Sequence, residues 1–167
     1  ASEGVGMVLL RRLEDARSQK NPILGVVRGS GWSNDGKGKF VLSPNPVGQK
    51  RAYERAYEEA GLHPSEVNYL ECHATGTPLG DRIEAQSISD FFGEQLPLTG
   101  SVKSNVGHML TAAGMSSLAK ILGAFESESI PASIRINNPQ LPEDRIVRTP
   151  SQWQKTVLPR VGAISSF

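Results

Sequence analysis

The stretch Val67-Asn68-Tyr69-Leu70-Glu71-Cys72-His73-Ala74-Thr75-Gly76-Thr77-Pro78-Leu79-Gly80-Asp81 decides the fold, because it passes from strand to loop to helix without a linker. Val67 to Cys72 is an apolar, β-forming run with the length of a buried strand. His73 to Gly80 is a loop of small residues, and a helix is expected from Asp81 to Phe92, stopped by Gly93. The same succession follows downstream. Leu98 to Val102 reads as a short strand, Lys103-Ser104-Asn105-Val106-Gly107-His108 as a second histidine loop, and Thr111 to Glu126 as a helix. In that helix Leu118, Ile121, Leu122 and Phe125 fall at i, i+3, i+4 and i+7. Strands alternating with helices predict an α/β sandwich around one sheet, and strand-to-helix loops are where such proteins place their sites.

Toward the N-terminus, a helix is expected from Pro46 to about Ala60, with proline in the first turn and Gly61 just past the end. Ala52, Ala56 and Ala60, beside Tyr53 and Tyr57, mark its packed face. Pro64-Ser65-Glu66 forms a turn. Val5 to Leu10 reads as a buried strand, Glu14 to Lys20 as a short helix or turn closed by Asn21-Pro22, and Ile23 to Ser30 as a second strand, giving a hairpin-like pair. Trp32 to Pro46 reads as a loop. Gly29-Ser30-Gly31 and Gly36-Lys37-Gly38 resemble phosphate-cradling loops only loosely; neither precedes a helix start, so both read as loop filler. Toward the C-terminus, Ile130 to Ile136, Ile146 to Arg148 and Val161 to Ser166 are candidate strands.

The chain has three histidines, and two of them, His73 and His108, sit in the small-residue loops. An imidazole donates or accepts a proton near neutral pH, and small neighbours leave room for a substrate to reach it. A lone histidine more often caps a turn or fills a core gap; two in equivalent strand-to-helix loops point to chemistry. Metal binding by Cys72, His73 and His108 has no ligand-like spacing to support it. The single cysteine cannot form an internal disulfide, which fits a reducing compartment. Cys72 and His73 are neighbours on a strand and point to opposite faces, so they do not make a Cys/His pair.

Composition is that of an ordinary globular domain: 167 residues can bury one core, with 38% apolar and 21% charged residues. A net charge of +1 argues against nucleic acid or a membrane surface as the main partner. No apolar run approaches the roughly 18 residues of a membrane span, and a cytoplasmic location is expected.

The strings Glu71 to Asp81 and Gly100 to His108 resemble the two histidine motifs of the β-ketoacyl synthases. The resemblance extends from Ser2-Glu3-Gly4-Val5-Gly6 through Asn137-Asn138-Pro139 to Ser165-Ser166-Phe167, and its wording is nearest to type I polyketide and fatty acid synthases. It implies a thiolase-like αβαβα sandwich, of which residues 1–167 would be roughly the second half, starting after the nucleophile region and ending before a Gly-rich turn. It implies decarboxylative Claisen condensation of an acyl thioester with a malonyl-type unit on the phosphopantetheine of an acyl carrier protein. His73 and His108 would activate the extender, with Lys103 orienting the site and tuning its charge. Thr75 and Thr77 match hydroxyls that contact the phosphopantetheine arm, or serve simply as turn formers. Asp81 is expected to be a helix N-terminal residue rather than a reactant.

By the same resemblance, the acyl-bearing cysteine lies in an N-terminal half, the parent is a homodimer, no cofactor or metal is bound, and the isolated chain should not condense anything. A non-catalytic scaffold or interaction module is the alternative. Intact His73, His108 and Lys103 speak against it, since a scaffold has no need of donors in small-residue loops.

Overall fold

The computed structural model describes residues 1–36, 44–153 and 157–167. Five helices among these residues are α1 (Leu13–Ser18), α2 (Pro46–Ala60), α3 (Pro78–Phe92), α4 (Lys103–Val106) and α5 (Ala113–Ser127). The strands are β1 (Tyr69–Glu71), β2 (Leu98–Gly100), β3 (Ser129–Ile130), β4 (Ser151–Gln152) and β5 (Gly162–Ile164). Helix α2 has the expected ends. Asn45 accepts the Val47 N–H on its side chain, Pro46 supplies a preset φ, and Gly61 closes the helix at φ 60°.

β1 is the middle of a three-stranded parallel sheet ordered β2-β1-β5, with Tyr69 opposite both Leu98 and Gly162. β3 and β4 form a separate two-residue antiparallel ribbon. Strand alternation sorts the β1 side chains onto two faces. Leu70 and Cys72 join Tyr53, Tyr57, Val67, Ile88, Phe92 and Leu96 in one core, beneath α2 and α3. Tyr69 enters a second core with Ile121, Ala124, Ile130, Val147 and Trp153, beneath α5. The sheet is thus a layer between α2/α3 and α5, which is an α/β sandwich.

Several elements differ from the sequence expectation. Helix α3 begins at Pro78, where proline needs no N–H partner, rather than at Asp81. In α5 the buried stripe is Ala113, Ser117, Ile121 and Ala124, while Leu118, Leu122 and Phe125 are half-buried. Of the expected strand Ile130 to Ile136 only Ile130 is in a ladder, paired through β3. Ile146 makes an isolated parallel bridge to Thr99. The expected hairpin of Val5 to Leu10 with Ile23 to Ser30 is absent, and neither run is assigned as a strand. Apolar, β-branched composition favours a strand, but a strand forms only beside a hydrogen-bonded neighbour, and neither run has a ladder here. Val5, Met7 and Leu9 stay 90%, 91% and 95% exposed.

Gly29 and Gly31 are not loop filler. A Cβ on either would strike the backbone of α2, at Ala56 and Ala60 for Gly29 and at Ala52 and Ala56 for Gly31. The alanine face of α2 is therefore where the chain before it crosses at backbone distance. Of the Gly36-Lys37-Gly38 cluster only Gly36 is described, at φ 64° with its N–H donated to Asn34 Oδ1; Lys37, Gly38 and the middle of the Trp32 to Pro46 loop lie outside the described residues.

Candidate functional site

The three parallel strands deliver their next residues to one edge of the sheet. β1 leads to His73, β2 leads through α4 to Gly107 and His108, and β5 leads through Ser165 to Phe167. Carboxyl ends of parallel strands are the usual place for a site in an open α/β sheet. There the His73 and His108 rings lie 5.6 Å apart between centroids at 88°, and the Phe167 ring lies 5.8 Å from His73 at 74°.

The first loop is held by acids from α3. Glu84, buried, accepts the backbone N–H of His73 at 2.6 Å and of Ala74 at 2.7 Å. Those two bonds hold Ala74 at φ 34°, a conformation that an alanine adopts only under constraint. The Ser165 hydroxyl also bonds Glu84, and its oxygen lies 2.7 Å from the Tyr53 hydroxyl, so α2, α3 and the end of β5 meet in one buried network. Asp81 sits in the first turn of α3, as expected, and its Oδ1 accepts the Gly76 N–H at 3.1 Å. Thr75 and Thr77 are in the same loop with their hydroxyl oxygens 3.1 Å apart.

The second loop turns at Gly107, where φ is 83° and a Cβ would meet the Ser2 side chain at 3.0 Å. The Ser2 N–H donates to the His108 carbonyl at 2.9 Å, so the chain's first residues are part of the same wall. Asn105 donates from Nδ2 to the Ala132 carbonyl, and Ser104 Oγ accepts the Ile134 N–H. These bonds anchor α4 to the segment after β3.

Each imidazole has its Nδ1 occupied as an acceptor. His108 Nδ1 accepts the Leu110 N–H at 2.9 Å, and His73 Nδ1 accepts the Phe167 N–H at 3.4 Å. In the neutral ring an accepting Nδ1 leaves the proton on Nε2, so both histidines are Nε2–H donors. Burial, together with the charges of Lys103 and His108, lowers the His73 pKa to about 4, which keeps it neutral near pH 7.

Lys103 is buried, and its ammonium has no hydrogen-bond acceptor among the described residues. Burial lowers its pKa, while Glu71 and Glu84 pull it back up. Cys72, on the other face of β1, lies in the core under α2 and α3, and burial pushes its thiol well above the usual range. A thiol kept protonated in an apolar core is a poor nucleophile.

His73, His108 and Lys103 thus come together at one sheet edge, while Thr75 and Thr77 pair with each other in the first loop. Sequence reasoning missed Glu71, Glu84, Lys120, Ser165 and Phe167. Glu84 had a signal: an acid on the inward face of a helix that follows a histidine loop. No group of three His, Cys, Asp or Glu among the described residues could hold a metal ion, and no helix of the described residues is long and apolar enough to cross a membrane.

Comparison with known proteins identifies the family and the fold. Residues 24–137 match the family described as "Beta-ketoacyl synthase, C-terminal domain". Over 99% of its length the chain is 40% identical to the polyketide synthase GfsA of Streptomyces halstedii. It is 39% identical, again over 99% of its length, to a subunit of the phenolphthiocerol/phthiocerol polyketide synthase of Mycobacterium tuberculosis. The chain spans only 2% and 9% of those proteins. Among solved structures, the PfaC keto synthase–chain length factor superposes with a TM-score of 0.86 at 44% identity, over 92% of this chain and 17% of that one. The ketosynthase from module 6 of the bacillaene synthase from Bacillus subtilis 168 gives 0.86 at 31% identity, over 94% and 30%. With the matching family covering most of its length and its thiolase-like α/β fold shared with solved ketosynthases, the chain belongs to the β-ketoacyl synthase family, as its C-terminal domain.

Proposed function

We propose that residues 1–167 form the extender-activating part of a polyketide synthase ketosynthase, which joins an acyl thioester to a malonyl-type unit borne by an acyl carrier protein. The observation that carries this reading is the edge-to-face pairing of His73 and His108, with Nδ1 of each accepting a backbone N–H, which assigns the ring proton to Nε2 in the neutral form. In the step they serve, the bond between the extender's carboxylate and its α-carbon breaks and carbon dioxide leaves. The electron pair passes to the thioester oxygen as an enolate, where two aimed donors stabilise charge that is absent from the ground state. The enolate carbon then attacks the acyl thioester carbonyl, and a cysteine thiolate departs.

That cysteine is supplied by another part of the synthase, since the chain's own Cys72 is buried and held protonated. The isolated chain is accordingly inactive in condensation, and its natural context is an N-terminal ketosynthase half in a dimeric parent. Lys103 raises the positive potential around the developing enolate. Thr75 and Thr77 fit contacts to the phosphopantetheine arm, their hydroxyls being adjacent at the loop's outer side. Substituting both His73 and His108 in the full-length protein tests the reading. Loss of product supports catalysis; unchanged product formation would leave only a scaffold role.

A further inference from the structure

On the far side of β1 from Cys72, a buried ion pair lies behind both histidine loops. Glu71, fully buried, has both carboxylate oxygens in use. Oε1 accepts the Val102 N–H, and Oε2 accepts the Tyr69 hydroxyl at 2.7 Å and the Lys120 ammonium at 2.9 Å. Lys120 also donates to the Tyr69 oxygen at 2.7 Å, and the side chains of the pair are 0% and 5% exposed. The Glu71 carbonyl accepts the Ser165 N–H at 2.8 Å. Gly100 makes room for the cluster, since a Cβ there would meet the Tyr69 hydroxyl at 2.6 Å and Lys120 Nζ at 3.4 Å.

One residue therefore touches every segment that carries the site. His73 follows Glu71 by two positions on the chain. Val102 precedes Lys103 and begins the turn to His108, Lys120 stands on α5, and Ser165 leads to Phe167. Replacing a buried ion pair by well-packed apolar residues of similar volume is often neutral or stabilising, so stability alone is a weak account of this one. We propose that Glu71 and Lys120 are positioning residues for extender activation: they hold the two histidine loops in register and set the charge around Lys103. This rests on the histidines acting on the extender.

Lys103 is faced by Glu71, Glu84, Cys72 and Lys120, and His73 by Lys103 and His108. Removing Lys120 leaves the Glu71 charge uncompensated, which favours protonation of Lys103; removing Glu71 has the opposite effect. In the full-length synthase, Lys120→Met and Glu71→Gln are each expected to slow extender decarboxylation roughly tenfold to a hundredfold, as small misplacements at a reacting centre do. Acyl loading of the cysteine is the internal control and should be little changed. The pH–rate profile should move up for Lys120→Met and down for Glu71→Gln, and return in the double variant.

Equal losses in loading and decarboxylation with an unmoved profile would overturn the proposal, leaving a purely structural pair. Should a single variant fail to fold, Tyr69→Phe removes one bond to each partner while keeping both charges. It too should slow decarboxylation selectively, and a uniform loss would again refute the idea. If the His73 and His108 variants leave decarboxylation intact, the functional reading has failed instead, whatever the pair does.

Discussion

His73 and His108 meet edge to face with their centroids 5.6 Å apart, and each ring has its Nδ1 tied to a backbone N–H from a different element. The rings are thereby fixed in tautomer as well as in place. Donors that need no reorganisation when charge develops are the most effective kind. His73 takes its N–H from Phe167 after β5, and His108 takes its own from Leu110 before α5, so the site exists only when the sheet is assembled.

The ionisation of His73 can be followed directly by NMR titration of its ring nitrogens. Protonation is expected near pH 4 rather than 6.5. Between those values the unfolded chain binds the proton and the folded one does not. The His73 contribution to stability is therefore complete above about pH 6.5 and is lost as pH falls toward about 4. Lys103→Met should raise the His73 pKa, since that cation helps to depress it, but should leave it below 6.5 because burial remains.

Glu84→Gln should disturb the first loop without emptying the core. A carboxylate accepts from His73 and Ala74 at once, whereas an amide offers one acceptor and turns an N–H donor toward the other. A loss of about 1–3 kcal/mol is expected, measured by denaturant unfolding, together with altered chemical shifts at Ala74 and His73. Unchanged shifts would mean that Glu84 does not hold the loop.

Two substitutions test the packing. Ile88→Ala empties a fully buried position under α2 and α3 and should cost about 2–5 kcal/mol. Gly31→Ala drives a Cβ into the Ala52 carbonyl and should cost at least about 1–3 kcal/mol by overpacking. A neutral Gly31→Ala in thermal unfolding would show that the chain crosses α2 more loosely than backbone distance.

Cys72 should be inert. The isolated chain, incubated with an acyl thioester, is expected to show no acyl adduct by intact mass. Cys72→Ala in the full-length protein should leave acyl loading in place. An adduct at Cys72 would contradict its assignment to the core.

What the sequence made legible was what local chemistry specifies. Pro46 and Gly61 bound α2 at both ends, and the two histidine loops stood out because each sets an imidazole among small residues between a strand and a helix, where α/β proteins place their sites. The partners of strands were not legible. Val5 to Leu10 reads as a strand by composition, yet composition names no neighbour to hydrogen-bond it. The Glu71–Lys120 pair joins a strand to a helix distant in sequence, and nothing local distinguishes Lys120 from a solvated helix lysine. Leu118 and Leu122 matched the helical period but stood beside the inward stripe, because the sheet packs against the smaller residues Ser117 and Ala124.

The central claim is tested most directly by the release of carbon dioxide from malonyl carrier protein labelled in its free carboxyl, measured with full-length synthase and its His73→Ala and His108→Ala variants. Each variant is expected to lose about 10²–10³ in rate, the usual cost of one donor to a developing oxyanion, with acyl loading of the cysteine retained. Release at the unsubstituted rate in both variants would contradict the assignment of this site to extender activation.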